Sequence, residues 1–161
     1  MFYDPNALKT VAECRVAVTR ATQAGKTDFV KSLLVRLAEL GGKGYSDPLE
    51  ASFYSSLTIY EQTLQKGRAN YVRRKLKKLG GGVAAVEQVL IDWCLAKEMS
   101  SGFQHLVEHG LEDQVGEYIV GINFPERFSA AVVKAARAKL IAQGIVTLDE
   151  MRCLTAGTRE E

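Results

Sequence analysis

The sequence predicts an all-α protein, a single irregular helical bundle of about seven or eight helices. Apolar residues recur every three or four positions along most of the chain, which is the period of an amphipathic helix. Glycines and capping residues divide these periodic segments at helix-like lengths, and no segment has a convincing strand pattern. The 161 residues, 47% hydrophobic and 25% charged, suit one domain over residues 1–155, followed by a frayed tail over residues 156–161.

Residues 1–40 are predicted to form a helical hairpin. The first helix covers residues 6–24 and stops at a glycine. Thr27 is predicted to cap the second helix, which Gly41 and Gly42 end. Because the gap between the two helices is short, we expect them to pack antiparallel.

A second strong helix start follows a flexible connection. Asp47 is suited to an N-cap, Pro48 to the first helical position, and Glu50 to the third residue after the cap. Gly67 either breaks the resulting helix or only weakens it. The sequence therefore leaves open whether residues 47–79 form one helix or two.

The remaining helices are delimited by glycines and caps. Three consecutive glycines, Gly80 to Gly82, end the segment before them. The main bundle, residues 47–143, is completed by helices predicted at residues 83–99, 102–109, 111–120 and 129–140. Thr147 and Glu150 form a capping box that starts a short C-terminal helix over residues 147–154.

The bulk composition limits the classes of function. The net charge of +2 and the pI of about 8.4 are too mild to indicate a nucleic-acid binder by themselves. Cys14, Cys94 and Cys153 are widely spaced and odd in number, which does not suit a disulfide framework or a zinc knuckle. No secretory leader and no apolar run of about 20 residues is visible. We therefore expect a cytoplasmic protein without a membrane partner.

The charge of the chain is strongly segregated. From Gln62 to Val86 there are seven basic residues and no acid. From Glu87 to Phe128 there are eight acids and only two basic residues. A positive block of this kind attracts a phosphate backbone or an acidic protein surface. The predicted nucleic-acid-binding residues are Lys66, Arg68, Arg73, Arg74, Lys75, Lys77 and Lys78.

A helix through this block would be amphipathic. Val72, Leu76 and Leu79 fall on one side and predict the core-facing stripe, while most of the cations lie opposite. No acid lies three or four positions away to neutralise them within the helix. Asn70 and Tyr71 could add a hydrogen bond or a stacking contact, although the pattern specifies no base.

Three interpretations of the basic helix remain open. In the first, the protein is a nucleic-acid-binding or accessory protein that contacts DNA or RNA mainly electrostatically. In the second, it is an adaptor or inhibitor that docks on an acidic partner, or on a second copy to form a homo-oligomer. In the third, the face is simply solvated. The acids proposed for docking are Glu98, Glu108, Glu112, Asp113 and Glu117.

Both histidines lie in one short motif, from His105 to His109. Its spacing resembles the H-x-x-E-H signature of the inverted zinc peptidases, but the resemblance covers five residues and no third ligand is marked out. His105 and His109 are therefore only weak metal candidates. We predict no metal, no cofactor, no catalytic residue and no enzymatic activity.

Overall fold

The computed structural model describes residues 4–63 and 69–156, with side chains as far as Leu154. Every regular element in these ranges is helical and none is a strand, which confirms the all-α prediction. No helix of the described chain is both long enough and apolar enough to cross a membrane. The α-helices are α1 (Val11–Gln23), α2 (Thr27–Gly42), α3 (Pro48–Thr63), α4 (Asn70–Lys78), α5 (Gly82–Leu95), α6 (Ser101–Glu108), α7 (Gly116–Tyr118), α8 (Ala130–Ala142) and α9 (Leu148–Ala156).

The chain divides into two compact units, Met1–Val86 and Glu87–Glu161. The division falls within α5, where the basic block ends and the acidic segment begins. This division into units does not test whether the chain is one domain, so the single domain stays a prediction.

The start of the first unit differs from the predicted helix over residues 6–24. One 3-10 turn, Pro5–Ala7, is followed by an extended break, and α1 begins only at Val11. The cause is a capping box at Thr10, whose side chain accepts a hydrogen bond from the backbone N–H of Glu13 at 3.2 Å. The Glu13 carboxylate accepts in return from the N–H of Thr10, so the chain is held outside the helix at that point.

Two close contacts position α2. The thiol of Cys14 in α1 donates to the carbonyl of Leu33 at 3.3 Å, as expected for the predicted hairpin. Thr27 was expected to be the N-cap of this helix. It is instead the first helical residue, and Lys26 occupies the N-cap position. Near its end α2 approaches α3 so closely that a Cβ on Gly42 would stand 2.7 Å from the Ala51 carbonyl oxygen. α2 ends at Gly42 as predicted, and glycine is also needed there for this close packing.

Residues 47–79 form two helices. Asp47 caps α3 as predicted, with its Oδ1 accepting from the N–H groups of Leu49 and Glu50 at 3.0 and 3.1 Å. Ala69 is non-helical, with φ −81° and ψ 71°, and α4 follows it. In one continuous helix Glu61 and Arg73 would be about 18 Å apart along the axis, yet their side chains are hydrogen-bonded. α3 and α4 are therefore not parts of one continuous helix.

The second unit contains shorter and less regular elements. The helix predicted for residues 83–99 ends at Leu95, before Ser100 caps α6 by accepting from the N–H of Phe103 at 3.1 Å. The helix predicted for residues 111–120 is divided into a 3-10 turn, the three-residue α7 and a π-helical turn, Ile119–Asn123. The packing around this segment is close, since a Cβ on Gly116 would lie 2.8 Å from the indole of Trp93.

The last two helices agree with the predicted caps. Ser129 caps α8, and Thr147 forms the capping box with Glu150 that starts α9. In this unit Arg127 pairs with Glu87 at 2.8 Å. The Arg137 side chain also donates to the Gly121 carbonyl at 2.9 Å, which holds the π-helical turn against α8.

Candidate functional site

The site with the strongest charge is α4, which carries five of the seven predicted cations. Lys66 and Arg68 lie outside the described residues. Leu76 is buried and Val72 is half-buried, so two members of the predicted apolar stripe face inward. The third, Leu79, is 42% exposed because it lies at the C-cap, where the helix is already ending. The five cations that can be placed are Arg73, Arg74, Lys75, Lys77 and Lys78.

The end of α4 is fixed by its glycines. The N–H of Gly80 donates to the Lys77 carbonyl at 3.1 Å, and the N–H of Gly81 donates to the Leu76 carbonyl at 3.0 Å. This is the Schellman pattern, which needs a left-handed residue, and Gly80 supplies it with φ 92°. The predicted stop at Gly80–Gly82 is therefore confirmed. The cations of the last turn lie at the negative end of the helix dipole, which offsets part of their mutual repulsion.

Arg73 differs from the cations of the outward side of α4 because it is already neutralised. Its Nε donates to Glu61 Oε1 at 2.9 Å, and its Nη2 donates to the same oxygen. The Glu61 side chain is 0% exposed, whereas that of Arg73 is 36% exposed. A buried carboxylate needs such a partner, since an isolated charge in the interior is strongly unfavourable. Arg73 thus anchors α4 to α3.

This pair was not predicted from the sequence. Acids that neutralise a cation within its own helix lie three or four residues away, whereas Glu61 precedes Arg73 by twelve residues and belongs to another helix. The sequence did contain a signal, because Glu61 follows Phe53 and Leu57 at four-residue spacing and so falls on the buried side of α3. Because of this contact, a change of Arg73 is expected to affect folding as well as surface charge.

The surroundings of Arg73 are also aromatic. The rings of Tyr45 and Tyr54 are stacked, with centroids 4.2 Å apart and planes 5° apart. Burial raises the pKa of both phenols, and the charge of Glu50 raises it further. The positive charge of Arg73 opposes this rise of both pKa values.

The outward side of α4 has a different character. Arg74, Lys77 and Lys78 are exposed and form no ion pair with a described carboxylate of the first unit. The Nε of Arg74 donates only to the Asn70 carbonyl, at 3.3 Å in the same helix. Tyr71 is 73% exposed beside them. We call Tyr71, Arg74, Lys77 and Lys78 the outer face of α4.

The two histidines of the motif lie side by side on α6. The rings of His105 and His109 are 4.5 Å apart, as expected for one helical face. His109 Nδ1 lies 2.8 Å from the His105 carbonyl oxygen, so that nitrogen is engaged with its own helix. Within residues 4–63 and 69–156, no group of three or more His, Cys, Asp or Glu side chains is arranged to hold a metal ion.

One acid assigned to the docking segment is buried. Glu117 is 2% exposed, and its Oε1 lies 3.7 Å from Lys139 Nζ. Lys139 also donates to the Trp93 carbonyl at 2.6 Å. Burial raises the pKa of Glu117, although Lys139 opposes the shift. Glu117 is therefore part of the interior of the second unit and not of an acidic surface.

Cys94 lies in the same interior. Burial is the main cause that raises the pKa of its thiol, to about 12, and the negative charge of Glu117 adds to the shift. A thiol with this pKa is protonated at neutral pH and is a poor nucleophile. Cys94 is buried and therefore belongs to the core of this unit.

Comparison of the chain with protein-family models, with curated proteins and with solved structures finds no match in any of the three. The function is therefore inferred from the residues themselves.

Proposed function

We propose that the protein binds nucleic acid through the basic helix and contacts the phosphate backbone mainly electrostatically. The observation that carries the proposal is the contrast within α4. Arg73 is neutralised by Glu61, whereas Arg74, Lys77 and Lys78 are exposed and have no carboxylate partner in the described first unit. Lys66, Arg68 and Lys75 belong to the proposed surface by their place in the basic block.

The energetics of the outer face support an external anion. Like charges one turn apart on a helix repel by a few tenths of a kcal/mol per pair, and the helix dipole offsets this only in the last turn. Phosphates would neutralise the cations and release condensed counterions, which is the main source of nonspecific affinity for nucleic acid. The proposal is for binding rather than catalysis. It places the protein in the cytoplasm, which suits the unpaired thiols of Cys14 and Cys94.

The test compares two double variants with the same change in charge. Lys77→Gln/Lys78→Gln removes two cations of the outer face, and Lys31→Gln/Lys43→Gln removes two exposed cations elsewhere in the first unit. We expect the first variant to lose duplex affinity on the order of a hundredfold at about 50 mM salt, since two phosphate contacts are lost. The control should retain most of it. Equal losses in the two variants would show that binding follows net charge and not α4.

A second candidate is a protein adaptor that self-associates through opposite charges. It is favoured by the exposure of Glu98, Glu108 and Asp113, which lie in the acidic segment and could meet the outer face of another copy. Light scattering at low and high salt separates this candidate from the first. A dimer that dissociates as salt rises would support it, and a monomer at every salt concentration would remove it.

A further inference from the structure

We infer that the outer face of α4 binds single-stranded nucleic acid in preference to duplex, with one unpaired base stacked on the ring of Tyr71. The inference rests on the proposed function and names the ligand class of the same surface. The two proposals rest on different side chains. The proposed function depends on the cations, whereas this inference depends on an aromatic ring.

The exposure of Tyr71 is the first observation. Its side chain is 73% exposed, more than any of the other large apolar side chains that the structure describes. Elsewhere in the first unit, Tyr45 and Tyr54 cover one another by stacking, and Tyr60 is half-buried. An aromatic ring gains substantially from contact, so one held in water on an ordered helix is suited to a ligand with its own π-face.

The position of Tyr71 relative to the cations is the second observation. Arg74 follows it by three residues and Lys78 by seven, so all three lie along one side of α4. The axial distance from Tyr71 to Lys78 is about 10 Å, the length of roughly three stacked nucleotides of one strand. A strand laid along this side would place phosphates at the cations and a base at the ring.

Strand preference follows from the geometry of the bases. In a duplex the bases are paired and stacked on one another, and only their edges are accessible in the grooves. A single strand can turn a base outward onto an aromatic side chain, and such stacking tolerates any base. A surface with cations alone would follow charge density, which is higher in a duplex than in a single strand. The ring of Tyr71 supplies the element that favours the unpaired strand.

The test uses the full chain and three substitutions of Tyr71. Tyr71→Phe keeps the ring, Tyr71→Leu keeps an apolar side chain without a ring, and Tyr71→Ala removes both. Val35→Ala is the control because Val35 is another exposed apolar residue of the first unit, in α2. Each variant is titrated by fluorescence anisotropy with a short single-stranded DNA, the same sequence as RNA, and the corresponding DNA duplex. Thermal unfolding verifies that every variant is folded.

The expected result has three parts. Tyr71→Ala and Tyr71→Leu should weaken single-strand binding roughly 5- to 150-fold, the range for loss of one base–aromatic stack. Tyr71→Phe and Val35→Ala should bind as the wild-type protein does. Duplex binding should be weaker than single-strand binding and should not respond to Tyr71→Ala.

The outcomes that contradict the inference are distinct from those that contradict the proposed function. If Lys77→Gln/Lys78→Gln abolishes binding while Tyr71→Ala has no effect on the single strand, the proposed function stands and the stacking inference is overturned. Equal affinity for duplex and single strand overturns it as well. If no oligonucleotide binds at low salt, both proposals fall, and the ring and the cations would belong to a protein interface.

Discussion

The pairing of Glu61 with Arg73 shows how one contact changes the interpretation of a charged helix. Both donated hydrogen bonds reach Oε1, while Oε2 is also buried and accepts no hydrogen bond from the described residues. The carboxylate therefore depends on Arg73 for its compensation. A side chain that appeared to be available for a ligand is instead part of the folded state.

Removal of Arg73 is expected to destabilise the protein. Arg73→Ala should lower the free energy of unfolding by about 2–3 kcal/mol, somewhat below the usual cost for a fully buried pair because the arginine is partly exposed. Arg74→Ala, the neighbouring control, should stay within about 0.5 kcal/mol of wild type. Urea unfolding measures both. Equal stability of the two variants would show that Glu61 is compensated by other means.

Glu117 provides a prediction about pH. Because burial raises its pKa above the ordinary 4.5, the folded state holds this proton more tightly than the unfolded state does. The free energy of unfolding should therefore fall as pH rises from about 4.5 through the raised pKa. Glu117→Gln cannot ionise and should lack this component. Parallel urea titrations of the two proteins from acidic to neutral pH measure it, and identical pH profiles would contradict it.

At the scale of the elements, the packing of α2 on α3 depends on small residues. Gly41 faces Thr58, and an added Cβ would overlap the threonine side chain. Gly41→Ala should therefore lower the free energy of unfolding by about 1–3 kcal/mol, although alanine favours a helix. Ser32→Ala at an exposed position of α2 is the control and should be nearly neutral. A Gly41→Ala protein as stable as wild type would show that the two helices can separate.

Local signals were sufficient to predict much of the helical pattern. Caps at Asp47, Ser129 and Thr147 and the glycines after α4 act through neighbouring backbone groups, so their effects are visible in a few consecutive residues. The break before Thr10 was missed although its capping box is local, because the apolar period continues across it.

Contacts between distant elements account for the other differences. The partner of Arg73 comes from another helix, and no spacing rule within α4 indicates it. Glu117 is buried beside Lys139, and Gly116 packs closely on Trp93, so both contacts involve other helices of the second unit. The candidate site was therefore predictable as a block of charge, but its division into an anchor and an outer face was not.

At the scale of the whole molecule, charge and unit division coincide. Up to Val86 the sequence has fourteen basic and seven acidic residues, a net charge of +7, and from Glu87 onward it has seven basic and twelve acidic residues, a net charge of −5. The small total of +2 conceals this polarity. If the proposed function is correct, this polarity should direct a polyanion to the first unit, which also carries the outer face of α4.

The salt dependence of single-strand binding tests the central claim most directly. For a single strand the slope of log K against log salt is about −0.7 for each phosphate neutralised. Wild-type protein should therefore give a slope of about −2 or steeper, from Arg74, Lys77 and Lys78. Lys77→Gln/Lys78→Gln should be shallower by about 1.4, and Lys31→Gln/Lys43→Gln should match wild type. Identical slopes for all three proteins, or no binding at low salt, would contradict the claim that α4 holds the phosphates.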